Sequence, residues 1–139
     1  MAAFLADETG RILLIRRAKD PGKGKLGPPG GFVDVNETAE IAVRREVKEE
    51  VNLDILDLRY LASFPNEYLR QGRIWPVLDL FFTARVRAWS ELAALDEVES
   101  YVLRDPTGVS PGDLAFPSMV AGLQAYNASN GLTVQQTDP

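Results

Sequence analysis

The stretch Gly31-Phe32-Val33-Asp34-Val35-Asn36-Glu37-Thr38-Ala39-Glu40-Ile41-Ala42-Val43-Arg44-Arg45-Glu46-Val47-Lys48-Glu49-Glu50-Val51-Asn52-Leu53 decides how this chain is read. Its pattern predicts a helix over residues 37–52. Asn36 suits an N-cap, and Glu37 and Glu40 complement the positive end of the helix dipole. Val43, Val47 and Val51 recur at every fourth position and form a narrow core stripe. Asn52 suits a left-handed stop. Glu46 and Glu50, one turn apart, project in nearly the same direction, with Glu49 beside them. Such like charges repel, and a divalent cation that takes several carboxylate oxygens at once would offset the repulsion. The plainer account is a solvated acidic face. Ala39 and Ala42, on about the same face, leave room for a loop or ligand. Arg45, four residues before Glu49, can hold that side chain in place. Just before the helix, Gly30-Gly31 lets the backbone turn sharply and come close to another group, and could aim a carbonyl oxygen at the same ion.

Working outward, residues 2–6 and 11–16 are short apolar runs around Asp7-Glu8-Thr9-Gly10, which predicts a hairpin. Residues 18–30 are rich in Gly, Pro and Lys and read as a loop. Residues 32–35 read as a short strand or its end. Residues 55–64 and 77–87 read as strands, with a polar loop carrying two aromatics over 65–76 between them. Residues 98–103 read as a last strand. Phe116-Pro117-Ser118 opens a helix to about Ala128, with Pro117 near the first helical position. Residues 129–139 read as a frayed polar tail. No repeat or linker interrupts the chain, so a single domain over 1–139 is expected. Strands mixed with two separated helices predict helices packed on a mixed sheet.

The chain has no cysteine and no histidine, which removes disulfides, thiolate sites and imidazole chemistry. Metal binding must then rest on oxygen donors, which favour Mg²⁺ or Mn²⁺. A net charge of −5 lacks the overall basic footprint of a nucleic-acid binder, so no nucleic-acid partner is expected. No apolar run is long enough to span a bilayer, and the first residues have no signal-peptide pattern. A cytoplasmic protein without a membrane partner is the expectation. A local basic patch at Arg16, Arg17, Lys19, Lys23 and Lys25 reads either as a solvated loop or as a mouth that attracts a phosphorylated ligand.

The spacing now decides between the solvated face and the metal face. Gly31, five residues, Glu37, seven residues, Arg45-Glu46-Val47, then Glu49-Glu50 and Asn52-Leu53 resembles the Nudix box, G-x5-E-x7-R-E-U-x-E-E-x-G-U, where U is a bulky apolar residue. Only Asn52 departs, standing where the family has its second Gly, and Asn is the substitute that best tolerates a left-handed cap. From average residue usage, a chance match at the six invariant charged and Gly positions has odds on the order of 10⁻⁵ over the chain. The resemblance covers residues 31–53. It extends weakly to the hairpin, the Gly/Lys loop and Leu114-Ala115-Phe116-Pro117-Ser118-Met119.

The resemblance implies an α/β/α sandwich with a mixed sheet between helices, and a pyrophosphohydrolase that cleaves a nucleoside diphosphate derivative with Mg²⁺ or Mn²⁺. It makes Glu46 and Glu50 metal ligands, Glu49 a further ligand or base, and the Gly30 carbonyl a backbone ligand. Arg45 would orient the glutamates, and Glu37 would brace the loop. Glu97 is a second candidate base, against its plainer reading as an exposed loop acid. Arg17, Phe64, Tyr68 and Trp75 are the candidate substrate-binding residues, the aromatics as a stacking platform or, more plainly, as packing. ADP-ribose-like or dinucleotide substrates are preferred. A triphosphate-sanitising pyrophosphatase and a non-catalytic nucleotide-binding module of the same fold are the alternatives. The resemblance also implies homodimer formation. Because the chain starts close to its first strand, a longer natural N-terminus is a further expectation.

Overall fold

The computed structural model describes residues 1–131. Two three-stranded sheets lie between two helices. In the first sheet β1 (Ala2–Leu5) runs parallel to β5 (Arg73–Val86), and β5 pairs antiparallel with β4 (Ile55–Arg70). In the second, β2 (Ile12–Arg17) lies between β3 (Leu26–Gly27) and β6 (Val98–Arg104), antiparallel to both. Alternation along β1 and β2 sends side chains to two cores. Ala3, Leu5, Leu13 and Ile15 pack toward α1 (Ala39–Val51), with Val43, Val47 and Val51. Ala2, Phe4, Ile12 and Leu14 pack with Met119, Leu123 and Tyr126 of α2 (Pro117–Ser129). This is the expected sandwich.

Four local readings change. Residues 7–10 do form a turn, in which the Asp7 carboxylate accepts from the N–H groups of Thr9 and Arg11. The flanking strands, however, share only the bridge Ala6–Ile12 and then part into different sheets, β1 beside β5 and β2 between β3 and β6. Residues 32–35 form no strand. The expected loop over 65–76 is strand, paired through to Arg70–Arg73. Its turn is Gln71-Gly72, both at positive φ (52° and 72°), as a two-residue hairpin turn requires. Finally, α1 begins at Ala39, with Thr38 as N-cap accepting from the Ile41 N–H. Asn36 has φ 67°, which suits the turn before the helix rather than a cap.

The end of α1 is as expected: Asn52 is left-handed (φ 61°), and its N–H donates to the Lys48 carbonyl. The helix from Pro117 also forms as expected. Of the tail read as frayed over 129–139, Ser129 belongs to α2 and Asn130 donates to the Tyr126 carbonyl, while residues 132–139 lie outside the described residues.

Candidate active site

Arg45 organises the acidic end of α1. Its guanidinium pairs with Glu37 (2.8 Å), Glu46 (2.9 Å) and Glu49 (3.2 Å), and donates to the Phe32 carbonyl (3.1 Å). Glu37 precedes the helix, where its carboxylate also accepts from the Asp34 N–H at 2.9 Å. One planar fork thus ties helix, loop and turn together, as a lysine point charge could not. Hydrogen bonds from Arg45 pull Glu37 down to about 2.

Glu50 is anchored differently. It accepts from the Gly30 N–H at 2.8 Å and, among the described residues, forms no ion pair. Burial pushes its carboxyl up to about 8, and the neighbouring Glu46 adds to the shift. Burial also raises Glu46, against the opposing pull of Arg45. Of the two expectations for the glycines, the close approach is what the structure shows, while neither residue has positive φ. A Cβ at Gly31 would lie 2.5 Å from the Glu46 carboxyl carbon, and one at Gly30 would overlap the backbone of Met1 and Ala2. The space expected beside Ala39 and Ala42 is filled. Ala42 is wholly buried and Ala39 packs on the α1-side core.

These residues fit a hard divalent cation. The donors are all oxygens, and two carboxyls on one helix face are held partly out of water without a full complement of positive charge. Among the described residues, no three acidic side chains already converge on one point. Arg45 holds Glu46 and Glu49, while Gly30 holds Glu50.

A cleft of about 510 Å³ lies between the tip of the β4–β5 hairpin, the loop at Asp20-Pro21, and Phe32 and Glu97. Tyr68 lines it, edge-on to Phe32 with ring centroids 5.0 Å apart. Arg17 stands beside it, donating to the Pro21 carbonyl (2.7 Å), 3.5 Å from the Tyr68 hydroxyl and over the Phe116 ring. Glu97 is exposed and paired with Lys19 at 2.7 Å, which lowers its pKa. Trp75 is half-exposed opposite Tyr68 in the strand register and lies near Arg73, outside the cleft lining. Phe64 packs on Phe81 in the α2-side core and does not reach the cleft. Sequence reasoning missed Phe32, assigned to a strand, and Arg70, assigned to a loop, although both line the cleft. The Gly of Gln71-Gly72 was the available signal for a hairpin that carries Arg70 there.

The segment between β5 and β6 is stitched to the end of α1. The backbone N–H groups of Ala93 and Leu95 donate to the carbonyls of Val51 (3.1 Å) and Glu50 (2.9 Å). The Asn52 side-chain amide donates to the Glu91 carbonyl at 3.0 Å.

The family described as the NUDIX domain matches residues 1–116. An ADP-ribose pyrophosphatase of Methanocaldococcus jannaschii is 49% identical over 49 residues, 35% of this chain and 29% of that protein. A mitochondrial NAD(P)H pyrophosphatase of Homo sapiens is 41% identical over 63 residues, 45% of this chain and 18% of that protein. Each match therefore spans under a third of the relative's length. The crystal structure of a MutT NUDIX hydrolase from Burkholderia pseudomallei superimposes with a TM-score of 0.74 at 25% identity, covering 89% of this chain and 93% of that one. No helix among the described residues is long and apolar enough to cross a membrane.

Proposed function

The chain belongs to the Nudix family, and on that premise we propose that it hydrolyses the diphosphate linkage of a nucleoside diphosphate derivative, ADP-ribose or a dinucleotide, with Mg²⁺ or Mn²⁺. The observation that carries this reading is the partly buried Glu50, without an ion pair among the described residues, beside Glu46 on one helix face and against the Gly30-Gly31 backbone.

A diphosphate resists attack because its oxygens repel an incoming anion. A divalent cation supplies charge neutralisation at those oxygens and a bound water of lowered pKa. Glu46, Glu50 and the Gly30 carbonyl would hold it, with Glu49 as a further ligand or as the base. Arg45 positions Glu46 and Glu49. Arg17, fixed by the Pro21 carbonyl beside the cleft, would meet the phosphates, and Phe32 with Tyr68 would bind the base. Glu97 is the alternative base. It would have to leave Lys19 to serve, and its lowered pKa makes it the weaker acceptor.

Phosphate release in a phosphatase-coupled assay tests the reading, on ADP-ribose, NADH, diadenosine polyphosphates, nucleotide sugars and, with added pyrophosphatase, nucleoside triphosphates. The expected result is turnover of ADP-ribose or a dinucleotide that requires Mg²⁺ or Mn²⁺ and stops with EDTA. Preference for triphosphates would move the substrate class. Silence throughout, with ligand-dependent thermal shifts retained, would make the protein a binding module.

A further inference from the structure

The basic patch of the sequence is divided by the fold. Arg17 and Lys19 turn to the substrate cleft and to Glu97. Arg16, Lys23 and Lys25 instead line a second cleft, of about 270 Å³, together with Leu26, Arg104 and Asp113. The two clefts share no lining residue. Arg104 is the unforeseen member. It lies on β6, opposite Ile12 in the register, far along the chain from the patch.

We propose that this second cleft is a binding site for a multiply charged phosphate anion, either inorganic or as the phosphate end of a small molecule. Four cations meet one carboxylate there, in a chain that carries more acids than bases overall. Among the described residues, none of the four cations forms an ion pair. Two of them are held by neutral acceptors. Arg16 donates to the Gly24 carbonyl at 2.7 Å, and Lys25 donates to the Gly112 carbonyl at 2.6 Å. Carbonyls fix the positions of these side chains without cancelling their charge, so the ordering cost of binding is partly met in advance. Like charges gathered in one cleft repel, and an anion carrying two or more charges relieves that repulsion. Arginine offers a fork to phosphate oxygens, and lysine adds a point charge.

The lining also selects against larger ligands. It contains no aromatic side chain, and its one large apolar member, Leu26, is buried in the core. A nucleobase would find no stacking surface, which is the usual device of single-strand nucleic-acid sites. The phosphate is therefore what the cleft recognises. This inference does not depend on the hydrolytic reading of helix α1.

The test is ¹H–¹⁵N NMR of the full chain in EDTA, titrated with inorganic phosphate, pyrophosphate, AMP and adenosine, with sodium chloride at matched ionic strength as control. Phosphate, pyrophosphate and AMP should give saturable shifts at Gly24, Lys25 and Gly112, and adenosine should give none there. Arg16→Gln combined with Arg104→Gln should weaken pyrophosphate binding by about tenfold or more, with basal turnover unchanged. Lys23→Glu, on an exposed loop, should weaken it as well and guards against a misfolded double variant. Shifts reproduced by chloride, or retained in all these variants, would overturn the site. So would a 5′-hydroxyl oligoribonucleotide that shifts the same amides where phosphate and pyrophosphate do not.

Discussion

Helix α1 carries the candidate metal-binding carboxylates and the tip of the β4–β5 hairpin lines the cleft at Phe32, and the two are built on different principles. Helix α1 and its lead-in are tied together by one guanidinium with four carboxylate partners, Asp34, Glu37, Glu46 and Glu49, on a backbone that leaves no room for a Cβ at Gly30 and sets Gly31 against the Glu46 carboxyl. The outer half of the hairpin has few neighbours: Leu69, Ile74, Trp75 and Leu78 are each about half or more exposed. The first arrangement tolerates almost no change of shape. The second can change its side chains without disturbing the first. On the proposed reading, chemistry and specificity would be separable here, with the reaction at the helix and the choice of substrate at the hairpin.

The largest expected effect lies at the helix. Glu50→Gln should keep the fold and lower turnover on the order of a hundredfold or more, above the range seen when only an outer partner of a metal ligand is lost. Near-normal activity would break the assignment of chemistry to α1. The same variant tests the burial of Glu50. In the unfolded chain this carboxyl ionises near its usual 4.5, but in the folded chain it keeps its proton up to about 8. The folded state thus binds more protons through that window, and the contribution of Glu50 to stability falls as pH rises across it. With EDTA present, the Gln variant should gain in Tm over the parent as pH goes from 4.5 to about 8. A constant difference in Tm would show that Glu50 is not buried as described.

Arg45→Lys should cost roughly 10- to 100-fold in kcat/KM, because one ammonium cannot hold Glu37, Glu46 and Glu49 together. Retained activity would show that the glutamates find their places without the fork. The smallest effects belong to the hairpin. Tyr68→Ala should raise KM by up to about tenfold with kcat little changed, as loss of one aromatic contact would. Trp75→Ala should change neither much, since that ring lies outside the cleft lining. A larger KM effect at Trp75 than at Tyr68 would move the substrate along the hairpin.

The same division explains what was legible in the sequence. Within α1, geometry follows from spacing, so the valine stripe, the left-handed Asn52 and the Arg45–Glu49 pair could all be read from short-range order. The helix start was misread because Asn36 and Thr38 are both good caps, and the Asp34–Glu37 turn decides between them. The hairpin depends on long-range pairing. Pro65, Asn66, Glu67 and Pro76 resemble loop residues, yet the prolines are tolerated. Pro65 lies on the edge strand β4, and Pro76 lies where β5 has lost its second neighbour, since β1 pairs only with Phe81–Ala84. Phe32 and Tyr68 stand far apart in sequence and meet only through that pairing.

The end of α1 has a consequence in time as well as in space. A helix normally leaves its last carbonyls to water, but here those of Glu50 and Val51 accept from Leu95 and Ala93, and Asn52 reaches across to Glu91. In deuterated water, these two loop amides should exchange on the clock of the helix rather than that of the surface. Asp96 and Glu97 follow directly in the chain, so an opening of the last turn of α1 should loosen the stretch that leads into them.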